Sequence, residues 1–374
     1  MVTEPLYFDW NATTPPRAEV LEAMARARRE AWGNPASVHR VGRQARLWVQ
    51  RARETVAGAL SVPPRNVLFT SGGTEANNLA LHDCECLVTS RLEHPSITRV
   101  AEHLEALGRQ VRWLQPTEEG RVETGELARA LDALTGARIT VALSAVNHET
   151  GVLNALPELV ELCQRRGARV HVDAVQALGK LPIDTWLHGD SWALAAHKLR
   201  GPTGIGALAL RCEAPRPLLL GGEQQRGLRA GTEDAALAAG FEAAVLAAQD
   251  GPARYAQLEP LRVRLEEALR RWAVCNGAGP RAPHVANLSF TGWNGPELVA
   301  ALDLEGLCVS SGSACSAGTA EPSKVIAAML GEQRARSALR ISLGETTSEA
   351  EIDAALGLFE RVLGRGTLES SSNA

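Results

Sequence analysis

Several short stretches hold residue types that could do chemistry together. In HVDAVQ, Asp173 ends an apolar run, where an isolated carboxylate is costly to bury. A local cap or an arginine partner would account for it, and so would holding the protonated nitrogen of a pyridine ring. Gln176, three residues on, reaches the same pocket if the strand ends there. In AAHKLRGPTGIGAL, Lys198 lies between a strand-like run and a Gly/Pro-rich turn. Most lysines are solvated surface groups. One buried at a strand end has a lowered pKa, and its neutral amine can form a Schiff base. His197 beside it is ambiguous, because neighbours on a strand face opposite sides. In FTSGGTEANN, a strand runs into Gly72, Gly73 and Thr74 and then into a helix. Backbone N–H groups and a hydroxyl at a helix start bind phosphate, although the stretch lacks the G-K-[ST] of a P-loop. In RAGTEDAA, Thr232 precedes a helix and offers either a second anion contact or a capping box. SSGSACSAG sets Cys315 among small residues, where a thiol is open to oxidation instead of buried as packing prefers.

A phosphate cradle, a carboxylate for a ring nitrogen and a Schiff-base lysine, in that chain order, describe a pyridoxal phosphate site. The elements that must position them are legible as alternating segments. Apolar runs at 67–72, 86–90, 138–146, 169–175, 191–196 and 205–211 read as buried strands. Amphipathic stretches at 96–108 and 156–167 read as helices between them. This alternation predicts a mostly parallel sheet with helices on both faces, and ligands at the carboxyl ends of its strands. Two helical segments, 17–32 and about 38–60, precede the sheet. After Thr232 come further helices and a second α/β pattern, with a last helix from Ser348.

Composition excludes several other classes. Lys and Arg total 39 against 43 Asp and Glu, with no dense basic block, so nucleic-acid binding has no electrostatic footprint. No apolar run reaches the ~20 residues that span a bilayer, and the first residues do not read as a signal peptide. A cytoplasmic protein with no membrane partner is the expectation. The seven cysteines are odd in number and irregularly spaced, which argues against a disulfide framework. The C-E-C of Cys84 and Cys86 is not a zinc spacing, so no metal is expected, and the thiols other than Cys315 read as small core hydrophobes.

From YFDWNATTP through GNPASVHRVG, FTSGGTEANN, RLEHPS, VNHETGV, HVDAVQALGKLPID, HKLRGPTGIGAL and RAGTEDA to SSGSACSAGTAEPS and LRISLGETT, the chain resembles the NifS/IscS-type cysteine desulfurases. These are fold-type I pyridoxal phosphate enzymes of the class V aminotransferase group. The resemblance spans nearly the whole chain. It implies a large α/β domain with a mostly parallel seven-stranded sheet flanked by helices, and a smaller α/β C-terminal domain. The expected division is a large cofactor-binding domain at 15–250, a small domain from 1–14 and 251–365 carrying the cysteine loop, and a disordered tail at 366–374.

The resemblance also implies roles. Lys198 matches the Schiff-base lysine, Asp173 the carboxylate on the ring nitrogen, and Gln176 the side chain near the ring hydroxyl. His94 matches the histidine that stacks on the ring and assists proton transfer. Gly73, Thr74 and His197 match phosphate contacts, and Thr232 one supplied across a homodimer interface. Arg340 matches the arginine for the substrate carboxylate, with Asn34 near the same region. Cys315 matches the catalytic thiol, which takes sulfur from L-cysteine as a persulfide, leaves L-alanine, and passes the sulfur to an acceptor such as an iron–sulfur scaffold. A flexible arm bearing Cys315, with slack up to a helix near Glu321, is expected. His148 stands where an asparagine that contacts the cofactor is common, and Ala195 where a phosphate-binding serine is common. The chain is also expected to be short of most of the C-terminal extension that some relatives use to dock a scaffold. The competing readings are a selenocysteine lyase, a pyridoxal phosphate aminotransferase or lyase without thiol chemistry, and a non-catalytic scaffold.

Overall fold

The computed structural model describes residues 5–134, 138–312 and 321–372, with side chains through Gly364. A seven-stranded sheet runs in the order Val67–Thr70, Gly206–Leu210, Ser191–Ala195, Arg169–Asp173, Ile139–Ser144, Cys86–Ser90, Gln110–Leu114. Gly206–Leu210 is antiparallel to both neighbours, and the remaining pairings are parallel. The inner strands are buried almost without a break, as a sheet covered on both faces requires. The edge strand Gln110–Leu114 escapes a search for continuous apolar runs because it alternates. Gln110 and Arg112 are exposed while Val111 and Leu114 are buried.

The helix Ala235–Ala247 is apolar around most of its circumference and is accordingly buried, packed against Ala18–Glu30 and Arg40–Ala59. The approach needs a glycine: a Cβ on Gly240 would lie 2.7 Å from Met24 Cγ. A separate apolar cluster gathers Phe8, Tyr255, Leu288, Phe290, Ile341 and Phe359. It covers an antiparallel sheet of Ala273–Cys275, Val285–Phe290 and Ala338–Ser342. Near it Leu6–Tyr7 pairs in parallel with Leu307–Cys308, so the first strand is completed by residues 301 positions later.

Glu345 binds the two regions together. Its carboxylate accepts from Arg200 and Arg254, each at 2.8 Å, and also from Arg17. Burial pushes its pKa up, but the guanidinium hydrogen bonds prevail and hold it below the usual carboxylate range.

Three local expectations change. The last helix is Glu349–Ser372, so the backbone at 366–372 is helical where composition predicts disorder. A helix already nucleated propagates at one hydrogen bond per residue and needs no apolar face to do so. Cys275 is exposed at the end of a short strand; Cys84, Cys86 and Cys163 are buried, and Cys212 and Cys308 are partly so. Burial pushes the Cys84 thiol up to about 11 and Cys163 to about 12, which keeps both protonated and inert. The helix after the cysteine segment is Lys324–Leu330, starting three residues beyond Glu321 because Ser323 caps it by accepting from Ile326 N–H. Among the described residues no helix is long and apolar enough to cross a membrane, and no cluster of His, Cys, Asp and Glu could hold a metal.

Candidate active site

A cavity of about 190 Å³ opens where three parallel strands end, with Ser144, Asp173 and Ala195 in its wall. The Asp173 carboxylate is buried and tied down on both oxygens: Oδ1 accepts from Val175 N–H at 3.0 Å, and Oδ2 from Asn77 Nδ2 at 2.8 Å. Burial nevertheless raises its pKa. A desolvated carboxylate held this way is suited to a cationic partner such as a protonated ring nitrogen.

Asn77 organises this floor. Its Nδ2 also donates to Ser96 Oγ at 2.8 Å, and its Oδ1 lies 2.9 Å from His171 Nε2. Because an amide oxygen only accepts, His171 donates from Nε2, and its Nδ1 meets Ser191 Oγ at 2.8 Å. Burial lowers His171 to about 3, so the ring stays neutral. His94 is fixed in the same manner. Its Nδ1 accepts from Ser96 N–H at 3.1 Å and caps the helix Pro95–Ala106, so the neutral ring carries its proton on Nε2. Burial, followed by the electrostatic influence of His148, Lys198 and Arg340, lowers its pKa to about 3.

Lys198 sits in a turn, Ala196–Leu199, closed by Arg200 in the left-handed region (φ 61°). The turn changes the expectation for its neighbour: His197 and Lys198 are no longer on a strand, and both line the cavity. Lys198 Nζ donates to the carbonyls of Asn11 at 2.5 Å and Ala12 at 2.6 Å. His197 Nδ1 meets Thr13 Oγ1 at 3.1 Å, and burial lowers its pKa to about 4. Gln176 is anchored to the same segment, donating from Nε2 to Asn11 O at 2.8 Å.

Gly73 and Thr74 begin the helix Gly73–Leu81 at the opposite side of the cavity. A Cβ on Gly73 would lie 2.6 Å from Val175 Cγ2, so glycine lets the helix start press against the strand end. Ala195, also in the wall, brings no hydroxyl to this cradle.

Arg340 reaches the cavity from the strand Ala338–Ser342 and is almost fully buried. Nη2 donates to Asp9 Oδ1 at 2.7 Å and Nη1 to His148 O at 3.1 Å, while Nε is buried and has no hydrogen-bond partner among the described residues. His148 Nε2 is likewise without one, standing 3.6 Å from Glu149 Oε1. Its ring meets that of His94 edge-on, with centroids 5.2 Å apart. His148 also lines a wider groove of about 820 Å³, whose wall includes Ser310, Gly312 and Ser323.

The structure therefore gathers Gly73, Thr74, His94, His148, Asp173, Gln176, His197, Lys198 and Arg340 around one cavity. It does not bring two others there. Thr232 is exposed, and the helix after it is capped by Asp234, which accepts from Ala236 and Leu237 N–H. Asn34 is exposed and accepts from Ala36 N–H at 2.9 Å. Cys315 lies outside the described residues, as does the expected arm around it. Asn77, Ser96, His171 and Asn11 were not singled out from the sequence. Two had a signal: Asn77 is one helical turn beyond Gly73, and His171 is two residues before Asp173 on the same face of its strand.

A carboxylate for a ring nitrogen, a glycine-floored helix start, a histidine with a fixed tautomer and a buried lysine fit an aromatic aldehyde that carries phosphate. Comparison with known proteins agrees. Residues 6–355 match the aminotransferase class-V family model. The cysteine desulfurase IscS of Photorhabdus laumondii is 37% identical, covering 96% of this chain and 93% of its own. An IscS-like cysteine desulfurase of Mycobacterium tuberculosis is 38% identical and covers 96% of each chain. A solved NifS-like protein superposes with a TM-score of 0.87 at 31% identity, over 96% of this chain and 99% of its own. The chain belongs to the aminotransferase class-V family, in its group of IscS- and NifS-type cysteine desulfurases.

Proposed function

We propose that the chain uses pyridoxal 5′-phosphate to convert L-cysteine to L-alanine, loading the sulfur on Cys315 as a persulfide. The observation that carries this reading is the convergence of Asp173, His94, Lys198 and Arg340 on one cavity. When bound, the cofactor supplies an electron-withdrawing ring that stabilises charge developing on the substrate carbon. Asp173 would hold its ring nitrogen, Gln176 and His148 would face its hydroxyl side, and Gly73, Thr74 and His197 its phosphate. His94 would pack on the ring with its Nε2 proton in reach. Arg340 would take the substrate carboxylate through Nε and its fork, and Asn34 stands near that region in the family pattern.

Lys198 would hold the cofactor and would move protons at the substrate carbons, with the Asn11 and Ala12 carbonyls as the resting place of its amine. The Cys315 thiolate attacks the substrate sulfur. An S–S bond forms as the C–S bond breaks, and the electron pair left on Cβ takes a proton, so no outside oxidant or reductant is needed.

The division into a large part, 15–250, and a small part, 1–14 with 251–365, is supported by two separate apolar clusters. A homodimer is supported by Thr232, which stands exposed and clear of its own chain's cavity, open to serve a partner's phosphate. The six described cysteines are free thiols, in keeping with the cytoplasm. The acceptor we assign is a protein such as an iron–sulfur scaffold.

The test is incubation with cysteine. Alanine is followed with time, and the persulfide is sought on Cys315 by mass, with Lys198→Ala as control. Alanine formation that survives Cys315→Ala would overturn the thiol step. A strong preference for selenocysteine in that variant would favour a lyase.

A further inference from the structure

Lys180 is a lysine that chemistry does not explain. Its side chain is only 1% exposed, and no carboxylate forms an ion pair with it among the described residues. Burying an amine without a counter-charge is costly, and a leucine or methionine would pack there more cheaply. Burial, with Lys198 and Arg340 adding to it, drives its pKa well below the ordinary lysine value.

What the amine does have is one short hydrogen bond. Nζ donates to Gln176 Oε1 at 2.6 Å, four residues back along the chain. The other end of the same amide, Nε2, donates to Asn11 O at 2.8 Å. Complementary partners at both ends define which atom is oxygen and which is nitrogen. Nε2 carries two hydrogens and Asn11 takes one, leaving the second for the cavity that Gln176 lines. Behind Lys180 the packing is aromatic: Nζ lies 5.9 Å from the centroid of the Tyr255 ring, which meets His284 edge-on at 4.8 Å. His284 Nε2 returns to Asn11 Oδ1 at 3.0 Å.

We propose that Lys180 is a positioning residue: it orients the Gln176 amide so that a hydrogen-bond donor, and not an acceptor, is presented to the ring oxygen of the cofactor. This rests on the reading of Gln176 as the side chain at that oxygen. A preset donor stabilises negative charge on the oxygen and so favours deprotonation of the neighbouring lysine-bound nitrogen. The charged and titratable groups that face Lys180 are Lys198 and Arg340 in the cavity wall, His197 beside Lys198, and His284 and Tyr255 behind it.

The test uses the cofactor-loaded full chain and reads the pH midpoint of its visible absorption band, with cofactor dissociation as a second measurement. Lys180→Met should raise the midpoint by about one pH unit, the scale of one hydrogen bond to a charged group, and weaken cofactor retention about tenfold. Gln176→Leu should do the same, and the double variant should go no further. Lys180→Gln, which keeps an N–H donor, should recover part of the shift and serves in place of the methionine variant if that folds poorly. A purely structural role would lower the thermal midpoint and leave the band where it was. If Gln176→Leu moves the band and Lys180→Met does not, the positioning role is overturned while Gln176 keeps its place. If neither moves it, the placement of Gln176 at the ring oxygen falls too.

Discussion

The two sides of the cavity are finished differently. On the floor, Asp173, Asn77, Ser96, His94 and His171 bond to one another, and both oxygens of Asp173 are engaged. On the side of Arg340 and His148, Arg340 Nε and His148 Nε2 are buried and have no hydrogen-bond partner among the described residues. Groups that hold one permanent ring gain from being locked in advance, because no reorganisation is then needed. Groups that meet a substrate at every turnover must keep valence for it. On the proposed function, the floor is a finished frame and the Arg340 side a receptor.

Asp173→Asn attacks the frame at its centre. It should lower kcat about a thousandfold, the ~4 kcal/mol scale of a broken buried ion pair, and shift the cofactor's absorption spectrum. An unchanged kcat would mean the floor does not hold a cationic ring. Arg340→Lys attacks the receptor. It keeps the charge but loses the fork, so KM for cysteine should rise about fiftyfold with kcat much less affected. If kcat falls and KM does not, the two sides are not divided as described. Asn77→Ala removes one frame member that touches no substrate. It should cost about tenfold in kcat and lower the thermal midpoint, because Asp173, Ser96 and His171 each lose a partner.

The smallest effect concerns Glu93, beside the frame, which burial pushes up to about 8. Its folded value exceeds the ordinary carboxylate value, so the folded chain holds the extra proton between the two. The stability this gives is fully present below about 4.5 and is lost as pH rises through about 8. Glu93→Gln should therefore raise the thermal midpoint relative to the parent at pH 8.5, with the gap closing towards pH 5. A gap that does not depend on pH would sink this assignment. His94, His171 and His197 act in the opposite sense. Their folded values, about 3, 3 and 4, lie below 6.5, so stability falls as pH drops from 6.5 towards those values.

Cavity-lining residues were legible because each sits beside its own punctuation: Asp173 at a strand end, Lys198 before a Gly/Pro turn, Gly73 between strand and helix. The residues that hold them were not. Asn77 and Lys180 act through partners 96 and 4 positions away, and nothing in their own neighbourhood marks them. Asn11 contributes a backbone carbonyl, which any residue type supplies. Six strands of the large sheet are legible as continuous apolar runs, whereas Gln110–Leu114, half-wet at the edge, resembles a loop by composition. His197 stayed ambiguous from the residues alone because the chain turns one residue earlier than its apolar run suggests.

The pairing of Leu6–Tyr7 with Leu307–Cys308 has a consequence for how the molecule is made. At ~5–20 residues per second, a ribosome delivers the second strand about 15–60 s after the first. During that interval Phe8 and Trp10, both buried in the finished chain, have no home, and the Asn11 carbonyl that will receive Lys198 has no fixed address. The sheet can close while the nascent chain is still growing, but the lysine cannot be seated until translation is nearly over. A stalled or prematurely released chain would carry an intact-looking sheet with an apolar leader exposed, an attractive client for a chaperone.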